Sequence, residues 1–264
     1  MEPLSIIPLP GLPEIREGDD LGELIARAAW TGGTPLHDGD CLVVTQKVVS
    51  KAEGRIVPLD HADAAAKRAL VEAESVRILR RRGELTISET THGFVCANAG
   101  IDLSNVEDGT AALLPVDADR SARRIRDALR GVEKVDVGVI ISDTFGRAWR
   151  HGLTDVAIGV AGISAVVDLR GSTDDRGQEL RVTEVAIADP PGPAPGAPLM
   201  AENLGHACEA ADAGDHPPMR EHRRRWLARS ARSGQQRPQR RLRVAAQLFD
   251  IQPDDGTRSE RAHV

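Results

Sequence analysis

The chain is predicted to be α/β in the mixed α+β sense, and three observations carry that expectation. Apolar runs of strand length, such as Cys41 to Val44 and Val135 to Ile141, alternate with stretches of helical period. Aspartates stand just ahead of the helical stretches, where they cap free N–H groups. The 264 residues have ordinary apolar (41%) and charged (28%) content, enough to bury a proper core. Strands interleaved with helices, rather than segregated from them, define the class.

Taken in order, Leu4 to Pro8 reads as a short strand, followed by a loop at Gly11-Leu12-Pro13-Glu14-Ile15. Asp19 or Asp20 caps a helix whose inner face is Leu21, Leu24, Ile25 and Ala28, at the i, i+3, i+4, i+7 spacing. Asp38-Gly39-Asp40 is a turn into the buried strand Cys41 to Val44, which leads into Thr45-Gln46-Lys47 and Val48-Val49-Ser50-Lys51. Residues 62–81, rich in Ala, Leu and Arg, are expected to be one helix. Residues 117–130 are a second, capped by Asp117 or Asp119, with Ile125 and Leu129 inside and Gly131 as the stop. Val135 to Ile141 is a strand ending at Ser142-Asp143-Thr144. Small and branched residues alternate from Val156 to Val167 around Gly159 and Gly162, and Leu180 to Ile187 alternates as a further strand.

At Pro190 the character changes. Residues 190–196 run Pro-Pro-Gly-Pro-Ala-Pro-Gly, which continues neither sheet nor helix. Residues 190–264 carry 12 Arg, no Lys and 9 acids, with one basic helical candidate (Pro218 to Ser230) and one short apolar patch (Val244 to Ile251). The expected division is therefore a core over 1–189 and an atypical, poorly ordered Arg/Pro-rich tail over 190–264.

Composition also excludes functions. A formal net charge of -6 gives no reason to expect a nucleic-acid or membrane partner. Cys41, Cys96 and Cys208 show no metal-ligand spacing and no disulfide framework. The N-terminal segment has no basic region followed by an apolar stretch, so the expected location is the cytoplasm. Neither a P-loop, nor a dinucleotide fingerprint, nor a Gly-x-Ser-x-Gly elbow is present.

The remaining chemistry lies in carboxylates and a few cations. Asp102 and Asp143 sit in polar settings beside hydroxyls, Ser104 and Thr144. Such acids suit a hard, oxygen-ligated cation bridging to phosphate. Equally, Asp102 would cap a turn and Asp143 a helix. Lys47 and Lys51 are two of four lysines in the chain, and lysine is a point-charge phosphate binder or a solvated surface residue. Arg147 and Arg150, beside Trp149, suit carboxylate or phosphate recognition or a solvated loop. His92 and His151 receive no role.

Five segments, in order, resemble the coenzyme F420 gamma-L-glutamyl ligase family: Gly11 to Ile15, Thr45 to Arg55, His92 to Asp102, Ser142 to Arg150 and Thr154 to Gly159. The resemblance runs from about residue 4 to 189. It implies a mixed α/β homodimer unrelated to P-loop enzymes. The implied reaction phosphorylates a carboxylate of the coenzyme precursor with GTP, and the amine of L-glutamate then displaces the phosphate. Magnesium or manganese is required.

Carried over by position, Leu12, Pro13, Glu14, Ile15, Gln46, Lys51 and Asn105 resemble nucleotide contacts. Asp102, Asp143 and Thr144 resemble metal ligands. The partners implied are small molecules: GTP, L-glutamate and the coenzyme precursor. Leu153 stands where the family usually has an amide, Thr91 where it often has Arg, and Leu169 and Arg176 where Tyr is common. The stretch after Pro190 lacks the family's Ala-rich helix and closing strand. It keeps a second reading open: a non-catalytic or frameshifted relative that at most binds nucleotide or pairs with an intact subunit. A metal-dependent phosphohydrolase would use the same acids but explains none of the other matched segments.

Overall fold

A computed structural model describes residues 5–146, 151–186, 188 and 241–245. Arg147, Trp149 and Arg150, the Pro190 run, Cys208 and the helical candidate at 218–230 lie outside the described residues.

The centre is a five-stranded sheet in the order β1-β12-β2-β8-β9, with β1 Ser5–Pro8, β2 Cys41–Thr45, β8 Gly138–Gly146, β9 Leu153–Ala161 and β12 Arg241–Ala245. The first four strands in that order are parallel and β9 closes the edge antiparallel to β8. Side chains alternate across the sheet as a period of two requires. Leu42, Val44, Val139 and Ile141 face one core, while Cys41, Val43 and Ile140 face a second.

Helices α1 (Leu21–Thr31) and α4 (Ala118–Val132) cover the first face. The Asp20 carboxylate accepts the Glu23 N–H at 3.1 Å and that of Asp117 accepts the Arg120 N–H at 3.0 Å. Each thus satisfies a donor that the first helical turn leaves free. Ile25, Ile125 and Leu129 are buried, as their spacing predicts, and Leu24 packs against the core from a partly buried position. Gly131 does not end α4, which runs on to Val132; the left-handed residue after it is Lys134, at φ 60°.

Two expectations about local structure are corrected. Residues 62–81 are not one helix. Helix α3 (Ala64–Ala73), capped by Asp63, gives way to strand β4 (Ser75–Arg82). The β-branched Val76 and Ile78 favour extended backbone, and Gly83 at φ 59° turns the chain into β5 (Leu85–Thr90). With β6 (Val95–Ala97) these form a three-stranded antiparallel sheet. Asp143 neither follows a strand nor caps a helix, because β8 continues through it to Gly146.

Beyond residue 189 the described residues include one short element. Arg241–Ala245 is a strand lying between β1 and β2, paired in parallel with both. The Arg-Leu-Arg-Val-Ala stretch has the two-residue alternation of a strand, but its pairing partners lie far away in sequence. Smaller pairs complete the fold: β3 (Ile56–Pro58) with β7 (Thr110–Ala112), and β10 (Val166–Asp168) with β11 (Glu184–Ala186). Among the described residues, no helix is long and apolar enough to cross a membrane.

Candidate active site

Helix α2 (Gln46–Ala52) starts directly from the end of β2 and carries both lysines of the segment, one turn apart on the same face. Their partners differ. Lys51 pairs with Glu14 of the loop after β1, and the Gly18 N–H donates to the Ala52 carbonyl at 2.9 Å, so that loop is pinned along α2. Lys47 reaches the opposite way. Its ammonium lies 2.9 Å from Asp102 Oδ2 and donates to the Ser104 carbonyl at 2.6 Å and to Ser104 Oγ at 3.0 Å.

Asp102 is fixed at both levels. Its backbone exchanges hydrogen bonds with Ala112 at 2.9 and 2.8 Å. Its Oδ1 accepts the Ser104 N–H and the Ser104 hydroxyl, each at 2.7 Å. Burial opposes ionisation there, but the Lys47 and Ser104 hydrogen bonds outweigh it and hold the carboxyl below the ordinary carboxylate range.

Asp143 is in the opposite condition. Burial pushes its carboxyl up to about 7; the Thr144 N–H, at 2.8 Å, and the charge of Lys47 work against that, and Asp102 and Asp155 add repulsion. Asp155 enters through strand register, since β9 pairs Thr144 with Asp155 and the Thr144 hydroxyl donates to Asp155 Oδ1 at 2.7 Å. Behind the carboxylates, Cys96 on β6 is buried. Burial and the Asp143 charge push its thiol up to about 12, so it stays protonated and unreactive at neutral pH. Phe94 and Phe145 meet edge-to-face at 6.0 Å and His92 stacks on Phe94, so an aromatic group lies beside Thr144.

The structure thus brings Glu14 to Lys51, and Asp102 to Lys47 and Ser104, with Asp143 close enough to feel both members of the second pair. Leu12 is partly buried against the core and Ile15 fully buried, while Pro13 and Glu14 are exposed. Gln46 is a core residue at 2% exposure, its amide donating to Ser50 Oγ at 2.7 Å and to the Leu113 carbonyl at 2.9 Å. Asn105 is exposed in the turn after Ser104, at φ 50°. Two residues of the constellation, Lys47 and Asp155, were not singled out as ligands from sequence. The helical spacing of Lys47 and Lys51, and the β8–β9 hairpin register, are the signals that point to them.

The donor set suits magnesium or manganese. Among the described residues no three or more His, Cys, Asp and Glu side chains form a metal cage. A hard cation of this kind needs only one or two carboxylates, keeping waters and substrate phosphate for the rest. A cation there would offset the repulsion that Asp102 and Asp155 exert on Asp143, which adds to the larger effect of burial.

A family described as F420-0:Gamma-glutamyl ligase matches residues 11–194. The coenzyme F420:L-glutamate ligase of Methanothermobacter thermautotrophicus is 46% identical over 200 residues, spanning 70% of this chain and 79% of its own. Those of Methanopyrus kandleri and Archaeoglobus fulgidus are 43% and 41% identical, over 70% of this chain and 77% and 78% of theirs. With both the family match and these identities spread over most of the chain, the protein belongs to the F420-0:gamma-glutamyl ligase family.

Proposed function

We propose that the protein is a GTP-dependent ligase of coenzyme F420 biosynthesis, joining L-glutamate to the coenzyme precursor through an acyl phosphate. The observation that carries this reading is the pairing, on one helix, of two lysines with carboxylates from two separate loops. Lys51 faces the Glu14 loop and Lys47 faces Asp102. Phosphoryl transfer asks chiefly for positioning and charge neutralisation, and this arrangement offers both.

In the proposed reaction a precursor carboxylate attacks the γ-phosphorus of GTP and GDP leaves. The glutamate amine then attacks the acyl carbon, loses a proton and expels phosphate. The residues divide this labour. Glu14 and its loop, with Leu12, Pro13 and Ile15, frame the nucleotide, Lys51 neutralises phosphate charge, and Asn105 adds a polar contact. Gln46, turned into the core, supports α2 rather than offering its amide outward. Asp102, Asp143 and Thr144 would hold magnesium or manganese, which supplies charge neutralisation at the phosphates. Asp155 orients the Thr144 hydroxyl.

The reading includes a homodimer. Val76, Leu79, Leu85 and Val95, exposed at 68, 44, 43 and 54% on the three-stranded sheet, offer apolar surface for a second copy. The non-catalytic alternative rests on the composition of the tail and its lack of the family's Ala-rich helix and closing strand; the pairing of β12 within the central sheet speaks for the catalytic reading.

The deciding assay incubates purified protein with GTP, magnesium or manganese, L-glutamate and the coenzyme precursor. The expected result is a glutamylated product by mass spectrometry, with GDP released in equal amount. Metal and nucleotide binding without product would favour the non-catalytic relative. GTP hydrolysis indifferent to glutamate and precursor would favour a phosphohydrolase.

A further inference from the structure

Lys47 is named in no step of the reaction just described, yet its ammonium is held by oxygens of two residues. It is 19% exposed and its ammonium has three oxygen partners: Asp102 Oδ2, the Ser104 carbonyl and Ser104 Oγ. The two oxygens of Asp102 are not equivalent. Oδ1 already accepts two donors from Ser104, which occupies its lone-pair directions. Oδ2 has the ammonium. A divalent cation approaching Asp102 therefore comes to the oxygen that Lys47 holds at 2.9 Å.

Both cannot stay. A magnesium ion sits about 2.1 Å from a ligand oxygen. With the ammonium still on that oxygen, two positive centres would lie within roughly 4 Å of each other in a half-buried site, where screening is weak.

We propose that Lys47 is a built-in stand-in for the divalent cation: its ammonium neutralises Asp102 while the metal is absent and is displaced from Asp102 when the metal binds. The inference rests on the proposed function in one respect, that a divalent cation binds at Asp102 and Asp143. The exchange accounts for the presence of a lysine in an acidic site. Asp102 and Asp155 both repel the Asp143 charge, and among the described residues Lys47 is the cation that acts on it. It also sets a cost on metal binding, because the Lys47 contacts with both Asp102 and Ser104 are given up. Once displaced, Lys47 stands one helical turn from Lys51 on the same face of α2, adding a second positive charge to the nucleotide side.

The test uses the small lysine content of the protein, four residues: Lys47, Lys51, Lys67 and Lys134. Protein labelled with 15N at the lysine side chains is titrated with Mg2+ in the presence of GDP, with GDP alone as the reference. The Lys47 ammonium signal, identified by its absence in Lys47→Arg, is expected to shift and to exchange faster with water on addition of Mg2+. In parallel, calorimetry of Lys47→Met should show Mg2+ bound at least about fivefold more tightly than by the wild type, since nothing has to be displaced. Lys47→Arg keeps a cation on Asp102 and should bind no more tightly than the wild type. Mg2+ binding that leaves the Lys47 signal unmoved, or weaker binding by Lys47→Met, would overturn the proposal while leaving the metal site standing. Failure of the wild type to bind Mg2+ at all would overturn both.

Discussion

Replacing Gly159 by alanine adds one methyl group where β9 crosses the start of α4. A Cβ at residue 159 would lie 2.4 Å from the Ala118 carbonyl carbon, 2.5 Å from its oxygen and 2.6 Å from its Cβ. Ordinary contact begins near 3.4 Å, so the overlap approaches 1 Å, and two of the three atoms are backbone. No rotamer change relieves it. The helix start must move, and with it the buried Asp119, whose carboxylate accepts the Val160 N–H at 2.9 Å. Overpacking against a yielding side chain costs about 1–3 kcal/mol, and a backbone neighbour puts this case at the upper end, about 3 kcal/mol. For a chain of this size that lowers Tm by roughly 6–12 °C. Gly131→Ala is the matched control. It adds the same methyl group to the last turn of α4, where nothing lies within 4 Å of the new atom. Reduced backbone entropy of the unfolded chain should there raise stability by about 0.5 kcal/mol. Thermal and urea unfolding of both variants, followed by circular dichroism, decides the matter. A Gly159→Ala protein within about 0.5 kcal/mol of the wild type would refute the packing argument, as would a Gly131→Ala protein that is the less stable of the two.

Three further outcomes are expected. Because the Asp143 carboxyl is raised from 3.8 to about 7, the metal-free fold loses stability as pH rises from about 4 toward 7, and a cation must displace a proton below 7. Mn2+ affinity by calorimetry should thus fall about tenfold per unit below pH 7 and level off above it, whereas a flat profile from pH 5.5 to 8 would count against Asp143 as a ligand. Lys51→Ala should raise the GTP dissociation constant by at least about tenfold, or about 1.4 kcal/mol, and a change under twofold would mark a merely solvated lysine. A chain stopped at residue 189 loses β12 and should show no cooperative unfolding transition, because β1 is detached and the edge of β2 is bared. A sharp transition in urea for that fragment would show that the core is complete without β12.

What was readable in the sequence, and what was not, follows the range of the interactions. Asp20 and Asp117 act on backbone N–H groups three residues away, so those helix starts were legible. The break between α3 and β4 was not, because no glycine or proline separates them and only pairing with β5 makes Ser75–Arg82 a strand. At the site, Asp102 and Asp143 stood out as acids beside hydroxyls, but Asp155 joins them only through hairpin register across 11 residues. Lys47 was noticed for its residue type alone, since its partners Asp102 and Ser104 are set by the fold. Gln46, matched by position to a nucleotide contact, is buried, and its amide nitrogen donates to Ser50 and Leu113, partners that the fold sets. The strand at Arg241–Ala245 was hidden by an Arg-rich neighbourhood and by partners some two hundred residues upstream.

That strand also dictates an order of events during synthesis. Ser5 pairs with Arg241 and Cys41 with Leu242, so the first two strands of the sheet emerge from the ribosome with an empty lane between them. The lane stays empty while the next two hundred residues are made. At synthesis rates of about 5–20 residues per second, that is an interval of roughly 10–40 seconds. Throughout it, β2 can pair with β8 on one side but exposes its other edge, and β1 has no neighbour in the sheet. Such long-range pairing slows folding and leaves an unpaired edge open to other chains in the meantime. The nascent protein is therefore most prone to aggregation just before residue 245 is added, long after the residues of the site have been made.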